Sequence, residues 1–367
     1  MSGAVLRAIG IISGTSMDGI DVAIMETDGE RHVMPGPSTT YPYAAALSAE
    51  LRALIANPTL ARKADHDDLE RAVSFAHAAA CLTFMREHAI DQSTVDLIGL
   101  HGQTICHRPA EKYTRQLGLA SLVAAETGID TVYRFRHADV AAGGQGAPFA
   151  PVYHQALVAK LDGPVMVLNL GGVGNVTYVD AETLIAFDTG PASALIDDFV
   201  QRRLGVAFDT DGALAASGTV DEPLVRLLLS DPYFTQPAPK SLDRNHFHAS
   251  ANAVERLANA DGAATLTAFT AQSVAAALDH VPSPPKRWLV AGGGRHNRAI
   301  MAALADRLGC PVEPIEAIGH DGDGLEAQLF GYLAVRSVKG LPLSFPGTTG
   351  VPAPTTGGTL IRAARDD

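Results

Sequence analysis

The segment Ile9-Gly10-Ile11-Ile12-Ser13-Gly14-Thr15-Ser16-Met17-Asp18-Gly19-Ile20-Asp21-Val22-Ala23-Ile24-Met25 sets two apolar, β-branched runs around a turn of glycines, small hydroxyls and carboxylates. This pattern predicts a β-hairpin. No bulky side chain guards its tip, so the backbone amides from Gly14 through Ile20 stand open to a ligand. Hydroxyls and amides donate to phosphate-like oxygens, and Asp18 or Asp21 offers a carboxylate to a metal ion or to its waters. The same residues also make a plain tight turn, and the segment alone leaves both readings open.

A second segment of this kind begins near residue 165, where Val165-Met166-Val167-Leu168-Asn169-Leu170 runs into Gly171-Gly172-Val173-Gly174-Asn175 and a further apolar run. Asn169, Gly171, Gly172 and Asn175 are its candidate ligand-facing residues. It is no Walker A loop, since GxxxxGK[ST] is absent from the chain, and no Rossmann fingerprint, since the third glycine is missing. Gly292, Gly293 and Gly294, followed by Asn297, sit between a predicted strand and a predicted helix, a setting that suits a nucleotide. Phe187-Asp188-Thr189-Gly190-Pro191 places a carboxylate in a turn after a short strand. Asp188 is there either a helix cap or a general base acting on a water or hydroxyl. His101, Gln103 and Thr104 gather hydrogen-bonding groups after a predicted buried strand. Their surroundings, with Cys106 and His107, match no zinc spacing. Arg136, Asp139 and Gln145 are further candidates for holding a polar ligand, while Glu326 is either a helix-end carboxylate or a ligand contact. No G-x-S-x-G elbow supports a serine hydrolase.

The elements that must hold these groups alternate in type. Apolar spacing predicts helices over 44–56 and 65–88, a strand over 95–100, a strand over 116–120, a helix over 121–127 and a strand over 131–133. In the second half helices are predicted over 193–204, 220–229, 251–259, 264–280, 297–308 and 325–338, with a strand over 287–290. Residues 141–148 read as a flexible junction, and 342–358 as a tail ordered where it packs on the body. Two glycine-tipped hairpins about 160 residues apart, each opening an α/β half, suggest duplicated domains. The expected limits are 1–145, 146–340 and a tail over 341–367. This layout is that of an α/β, two-domain actin-like (ribonuclease H-like) sugar-kinase fold with a deep interdomain cleft.

Composition bounds the partners. A chain of 367 residues suits two domains, and 47% apolar with 19% charged residues suits a globular protein. The formal charge of −12 argues against nucleic acid and anionic membrane as partners. Three cysteines without CxxC spacing fit a reducing compartment. No signal-peptide layout and no run of ~20 apolar residues is seen, so the expected location is cytoplasmic.

Taken in order, Gly14-Thr15-Ser16-Met17-Asp18-Gly19-Ile20-Asp21, His101-Gly102-Gln103-Thr104, Asp139-Val140-Ala141-Ala142-Gly143-Gly144-Gln145-Gly146-Ala147-Pro148, Asn169-Leu170-Gly171-Gly172 and Phe187-Asp188-Thr189-Gly190-Pro191 resemble the 1,6-anhydro-N-acetylmuramic acid kinase family. The resemblance continues through Pro239-Lys240-Ser241, Gly292-Gly293-Gly294 with Asn297, Glu326-Ala327-Gln328 and Pro346-Gly347-Thr348-Thr349-Gly350. It implies an ATP- and Mg2+-dependent enzyme of peptidoglycan recycling that opens anhydro-N-acetylmuramic acid with water and phosphorylates O6, giving ADP. It makes residues 14–21 the phosphate segment and Asp188 the catalytic base, in a homodimer that opens and closes. Three departures stand out. Ala192-Ser193 replaces the family's Gly-Asn, Gly174 replaces alanine, and Ser241-Leu242-Asp243-Arg244-Asn245 replaces Ser-Thr-Gly-Arg-Glu. Another small-molecule kinase of the same fold, or an ATP-binding module without catalysis, are the competing readings.

Overall fold

The computed structural model describes residues 3–14, 19–63, 65–181 and 183–364. Strands run over Leu6–Ser13 (β1), Ile20–Thr27 (β2), Val33–Tyr41 (β3), Leu97–Arg108 (β4), Tyr113–Leu117 (β5), Thr131–Tyr133 (β6), Val165–Leu170 (β7), Val173–Asp180 (β8), Thr183–Pro191 (β9), Arg287–Ala291 (β10), Val312–Pro314 (β11) and Thr359–Ile361 (β12). They form two sheets, one in each of two compact units. Unit 1 is Met1–Ala159 with Gly324–Asp367, and unit 2 is Lys160–Asp323.

The two sheets repeat one plan. Unit 1 has the order β12-β6-β4-β1-β2-β3, with β5 also beside β4, and unit 2 has β11-β10-β7-β8-β9. In unit 1, β2 is antiparallel to β1 and β3, while β4 is parallel to β1 and to β6. In unit 2, β8 is antiparallel to β7 and β9, while β10 is parallel to β7 and to β11. With β5 and β12 set aside, both sheets read 3-2-1-4-5 in chain order, and only the second strand is reversed. This is the actin-like, ribonuclease H-like α/β plan, present twice.

Apolar β-branched residues build each sheet's first strand, and Ile9, Ile11, Val165 and Val167 are all buried. The helix Asp67–Glu87 carries Asp67, Asp68 and Glu70 in its first turn, where the helix dipole favours negative charge. In unit 2 the core gathers Trp288, Tyr178, Phe187, Phe199, Phe247 and Phe269.

Several local expectations change. His101, Gln103 and Thr104 do not follow a strand but belong to it, because β4 continues to Arg108 against β5. Asp188 lies within β9, not in a turn after it. The edge strand β3 has no periodic apolar signal, since Pro35, Gly36 and Pro37 interrupt it, and it went unpredicted. So did the helix Ala150–Leu157. The helix expected over 251–259 is a short helix, His248–Ala251, running into the 3-10 turn Asn252–Arg256. Part of the tail, Thr359–Ile361, is a sheet strand paired with β6.

The units break at Ala159/Lys160 and Asp323/Gly324, whereas the expected limits lay at 145/146 and 340/341. The helix Leu325–Val338 accounts for the later shift. It lies directly on β1 and β4, where Gly10 and Gly99 have no side chain. A Cβ on Gly10 would stand 1.7 Å from the Ala327 carbonyl oxygen, and one on Gly99 2.0 Å from that of Phe330.

Candidate active site

In unit 2 a polar row crosses the sheet. Asn169 on β7 pairs with Asn175 on β8, which pairs with Asp188 on β9. Residues directly opposite on antiparallel strands project to the same face, so the three side chains are neighbours. Each is half-buried, while Leu168, Leu170, Val176 and Phe187 around them are buried. The row ends at the carboxyl ends of the parallel strands β7 and β10, the edge at which open α/β sheets bind ligands.

Asp188 is held at three points. Its N–H donates to the Lys240 carbonyl at 3.0 Å, and its own carbonyl accepts from the Tyr233 hydroxyl at 2.5 Å. Its Oδ2 accepts from the Leu242 N–H at 2.8 Å. Oδ1 takes no hydrogen bond from the described residues. Burial pushes the carboxyl up to about 6, against the smaller opposite effect of the Leu242 N–H. A carboxylate so placed is half desolvated, fixed in aim and ready to take a proton near neutral pH.

The turn Gly171-Gly172 packs on the start of the Ser193–Leu204 helix. The Ser193 N–H donates to the Gly171 carbonyl and the Ala192 N–H to that of Gly172, both at 3.0 Å. The Gly292 loop closes on the same corner. Gly292 has φ +77°, and a Cβ there would stand 2.4 Å from the Asn169 side-chain oxygen. The Asn297 side chain caps the Arg298–Leu308 helix by accepting from the Ile300 N–H at 3.0 Å. Beside this loop lies a cavity of about 390 Å³ lined by Asp197, Phe208, Asp211, Gly293, Gly294 and Asn297, among others. Burial raises the Asp197 carboxyl.

In unit 1, Thr15, Ser16, Met17 and Asp18 lie outside the described residues. Gly14 before them and Gly19, Ile20 and Asp21 after them are described. Gln103 is fully buried. It accepts from the Ser13 hydroxyl and its amide donates to the Gly14 carbonyl at 3.3 Å, so it fixes the approach to the turn. The Asp21 Oδ1 accepts from the Thr40 hydroxyl at 2.6 Å. The Thr104 hydroxyl accepts from the Gln116 amide at 3.3 Å.

A second polar group surrounds Arg136. Its Nε donates to His101 Nε2 at 2.9 Å and its guanidinium to the Gly146 carbonyl at 2.6 Å. His101 is therefore neutral, with Nδ1–H directed to the Gly102 carbonyl at 2.9 Å, and burial followed by the Arg136 charge holds its pKa well below the usual value. Burial lowers Arg136 to about 10, opposed by the negative charges of Glu326 and Asp139. Both Asp139 oxygens are engaged, by the Gly146 N–H and by the Thr349 hydroxyl, each at 2.6 Å. Gln145 is fixed through its backbone, its N–H donating to the Thr349 carbonyl at 2.8 Å. The structure thus brings His101, Arg136, Asp139, Gln145 and Glu326 into one group, and Gly14 and Gln103 into another.

Magnesium needs few protein ligands, because it keeps waters and takes phosphate oxygens. Among the described residues no three histidine, cysteine or acidic side chains cluster to hold a metal. Asp21 is a half-buried carboxylate whose Oδ1 accepts from the Thr40 hydroxyl.

The family description "Anhydro-N-acetylmuramic acid kinase" matches residues 6–363. The chain is 51% identical over 359 residues to the anhydro-N-acetylmuramic acid kinase of Rhodospirillum rubrum, covering 97% of this chain and 94% of that one. It is 52% identical to that of Acidiphilium cryptum, covering 97% and 98%, and 51% to that of Paramagnetospirillum magneticum, covering 96% and 99%. The chain belongs to the anhydro-N-acetylmuramic acid kinase family. In this family member, sequence reasoning missed the residues that hold Asp188, namely Tyr233, Lys240 and Leu242, and the clamp that Thr349 places on Asp139. Lys240 and Thr349 stood in motifs quoted for the kinase family, and that was the available signal. Tyr233 had none.

Proposed function

We propose that this kinase opens the 1,6-anhydro ring of anhydro-N-acetylmuramic acid with water and transfers the γ-phosphoryl group of ATP to O6. The products are N-acetylmuramic acid 6-phosphate and ADP, made in the recycling of cell-wall sugars. The observation that carries this reading is Asp188, aimed by three hydrogen bonds, with Oδ1 free of hydrogen bonds from the described residues and its carboxyl raised to about 6. Oδ1 takes a proton from water as that water's oxygen bonds to C1. The C1–O6 bond breaks with its electron pair going to O6, which bonds to the γ-phosphorus as the bridging oxygen departs on ADP. The phosphoryl group traps the leaving oxygen, so no separate general acid is required.

The cavity beside Gly293 suits the nucleoside half of ATP. Phe208 offers an apolar face, Asp197 and Asp211 offer acceptors to hydroxyl groups, and an acidic lining disfavours phosphate. Asn169, Asn175 and the amides of residues 171–172 carry the donors that phosphate oxygens need. Residues 14–21 are assigned the same task in unit 1, with Asp21 or Asp18 holding magnesium through water. Bound there, magnesium supplies positive charge to the phosphates. Arg136, His101, Gln103, Thr104, Asp139 and Gln145 shape the sugar side. A homodimer working in the cytoplasm belongs to the same proposal.

Turnover in ¹⁸O-water tests the reaction. The label is expected at the anomeric hydroxyl, with the phosphate unlabelled. Label in the phosphate, or turnover of glucose or glycerol in place of the anhydro sugar, overturns the reading.

A further inference from the structure

Among the described residues Lys240 makes no ion pair with an acidic side chain. Its ammonium instead donates to the carbonyls of Tyr233 at 3.1 Å and Phe234 at 3.2 Å, and stands 3.1 Å from His280 Nε2. It also lies over the Tyr233 ring, 4.7 Å from the centroid, and 5.9 Å from that of Phe187. An ammonium has three N–H donors; two of them meet the Tyr233 and Phe234 carbonyls, while His280 Nε2 lies within hydrogen-bond distance of both the ammonium and the Phe234 carbonyl, at 3.1 and 3.0 Å. The His280 ring sits edge-on to Phe187, the residue before Asp188.

These contacts tie together the two segments that hold Asp188. The turn Pro232–Thr235 supplies the Tyr233 hydroxyl to the Asp188 carbonyl. The segment 240–242 supplies the Lys240 carbonyl to the Asp188 N–H and the Leu242 N–H to the carboxylate. Lys240 belongs to the second segment, and its side chain grips the backbone of the first. A lysine here is half-buried, and its desolvation lowers its pKa. Charge kept in such a place without a carboxylate needs a structural return, and a rigid brace is one.

We propose that Lys240 is a positioning residue for the reaction, an ammonium brace that locks residues 232–235 to residues 240–242 and so fixes the aim and the protonation of Asp188. The titratable groups around Asp188 are the Tyr233 hydroxyl, on its carbonyl, and, across the Phe187 ring, the Lys240 ammonium and the His280 ring. Loss of the brace frees the Leu242 N–H from the carboxylate, and without that hydrogen bond Asp188 ionises at higher pH. The proposal rests on Asp188 being the base.

The test measures kcat and KM across pH for Lys240→Met in the full-length enzyme, with Asp188→Asn assayed beside it and thermal unfolding and ADP binding as checks of folding. The expected result is a kcat lower by about 10- to 100-fold, KM values for both substrates within about threefold of the parent, and an acid limb moved to higher pH. An unmoved acid limb with kcat intact overturns the proposal, as does a rise in the sugar KM with kcat retained. If the Met variant does not fold, Lys240→Arg decides. It keeps the charge but spreads its donors over a planar fork that does not suit two carbonyls gripped by one nitrogen, so a smaller shift in the same direction is expected and an unchanged profile overturns the brace. Should Asp188→Asn keep its turnover, the base assignment fails whatever Lys240 does. Should Asp188→Asn be inactive while the Lys240 variants behave as the parent, only the brace fails.

Discussion

At the scale of single residues, Asp188 carries a conflict between stability and chemistry. Burial raises its folded carboxyl to about 6, so the fold disfavours the ionised form that catalysis needs. The resulting destabilisation is full above about pH 6 and vanishes as the pH falls below the unfolded carboxyl value near 4. Asp188→Asn keeps an acceptor for the Leu242 N–H and removes the charge. It is expected to raise the stability at pH 8 by roughly 1–3 kcal/mol and to lower turnover by roughly 10²–10⁴, with ADP still bound. Denaturant melts at pH 8 and pH 4.5 check the first point, since the gain should disappear at the lower pH. An Asn variant no more stable than the parent at pH 8 would mean that the carboxylate is well solvated. In the parent, kcat should fall as the pH drops through about 6. The candidacy of Asp188 was legible from its place one strand after a glycine turn, whereas its support was not. Tyr233 and Leu242 act through a hydroxyl and a backbone amide some 45 to 54 residues away, and no local pattern announces such contacts. Gln103 and Asp139 were read as candidates for a polar ligand, and nothing in the sequence signals that Gln103 also donates to the Gly14 carbonyl or that Asp139 accepts from the Gly146 N–H.

At the scale of elements, helical periodicity located long helices such as Asp67–Glu87, and continuous apolar runs located the strands of the glycine-tipped hairpins, which are buried along most of their length. Both signals failed where pattern and pairing separate. β3 is an edge strand interrupted in pattern by two prolines, and β4 carries polar His101 and Gln103 inward. The contact of the Leu325–Val338 helix with β1 and β4 was hidden because its signal is a missing side chain. Gly10→Ala would place a methyl group 1.7 Å from the Ala327 oxygen. Backbone on both sides has no rotamer by which to yield, and overpacking of this kind should cost about 3 kcal/mol. A lower unfolding midpoint, with ADP binding recovered at low temperature, is the expected measurement. A midpoint equal to the parent's would show that helix and sheet are not in the described contact.

At the scale of the whole molecule, the duplicated 3-2-1-4-5 sheet was readable as a repeat of hairpins, yet the ownership of the last helix was not. Sequence order assigns it to the second half, and packing assigns it to the first unit. Unit 2 is one continuous stretch, with its own aromatic core. A fragment of residues 160–323 is therefore expected to unfold cooperatively by calorimetry. A fragment of residues 1–159 should be molten or insoluble until residues 324–367 are supplied in trans. Cooperative melting of 1–159 alone would contradict this division.

That division also sets an order of events on the ribosome. The first sheet to be synthesised stays without its covering helix until nearly all of the chain has been translated, while the inserted unit emerges complete and is free to fold earlier. A nascent chain stalled before Leu325 would therefore present a finished inner unit and an unfinished outer one, leaving the apolar surface of β1 and β4 as the natural target for chaperones and quality-control proteases.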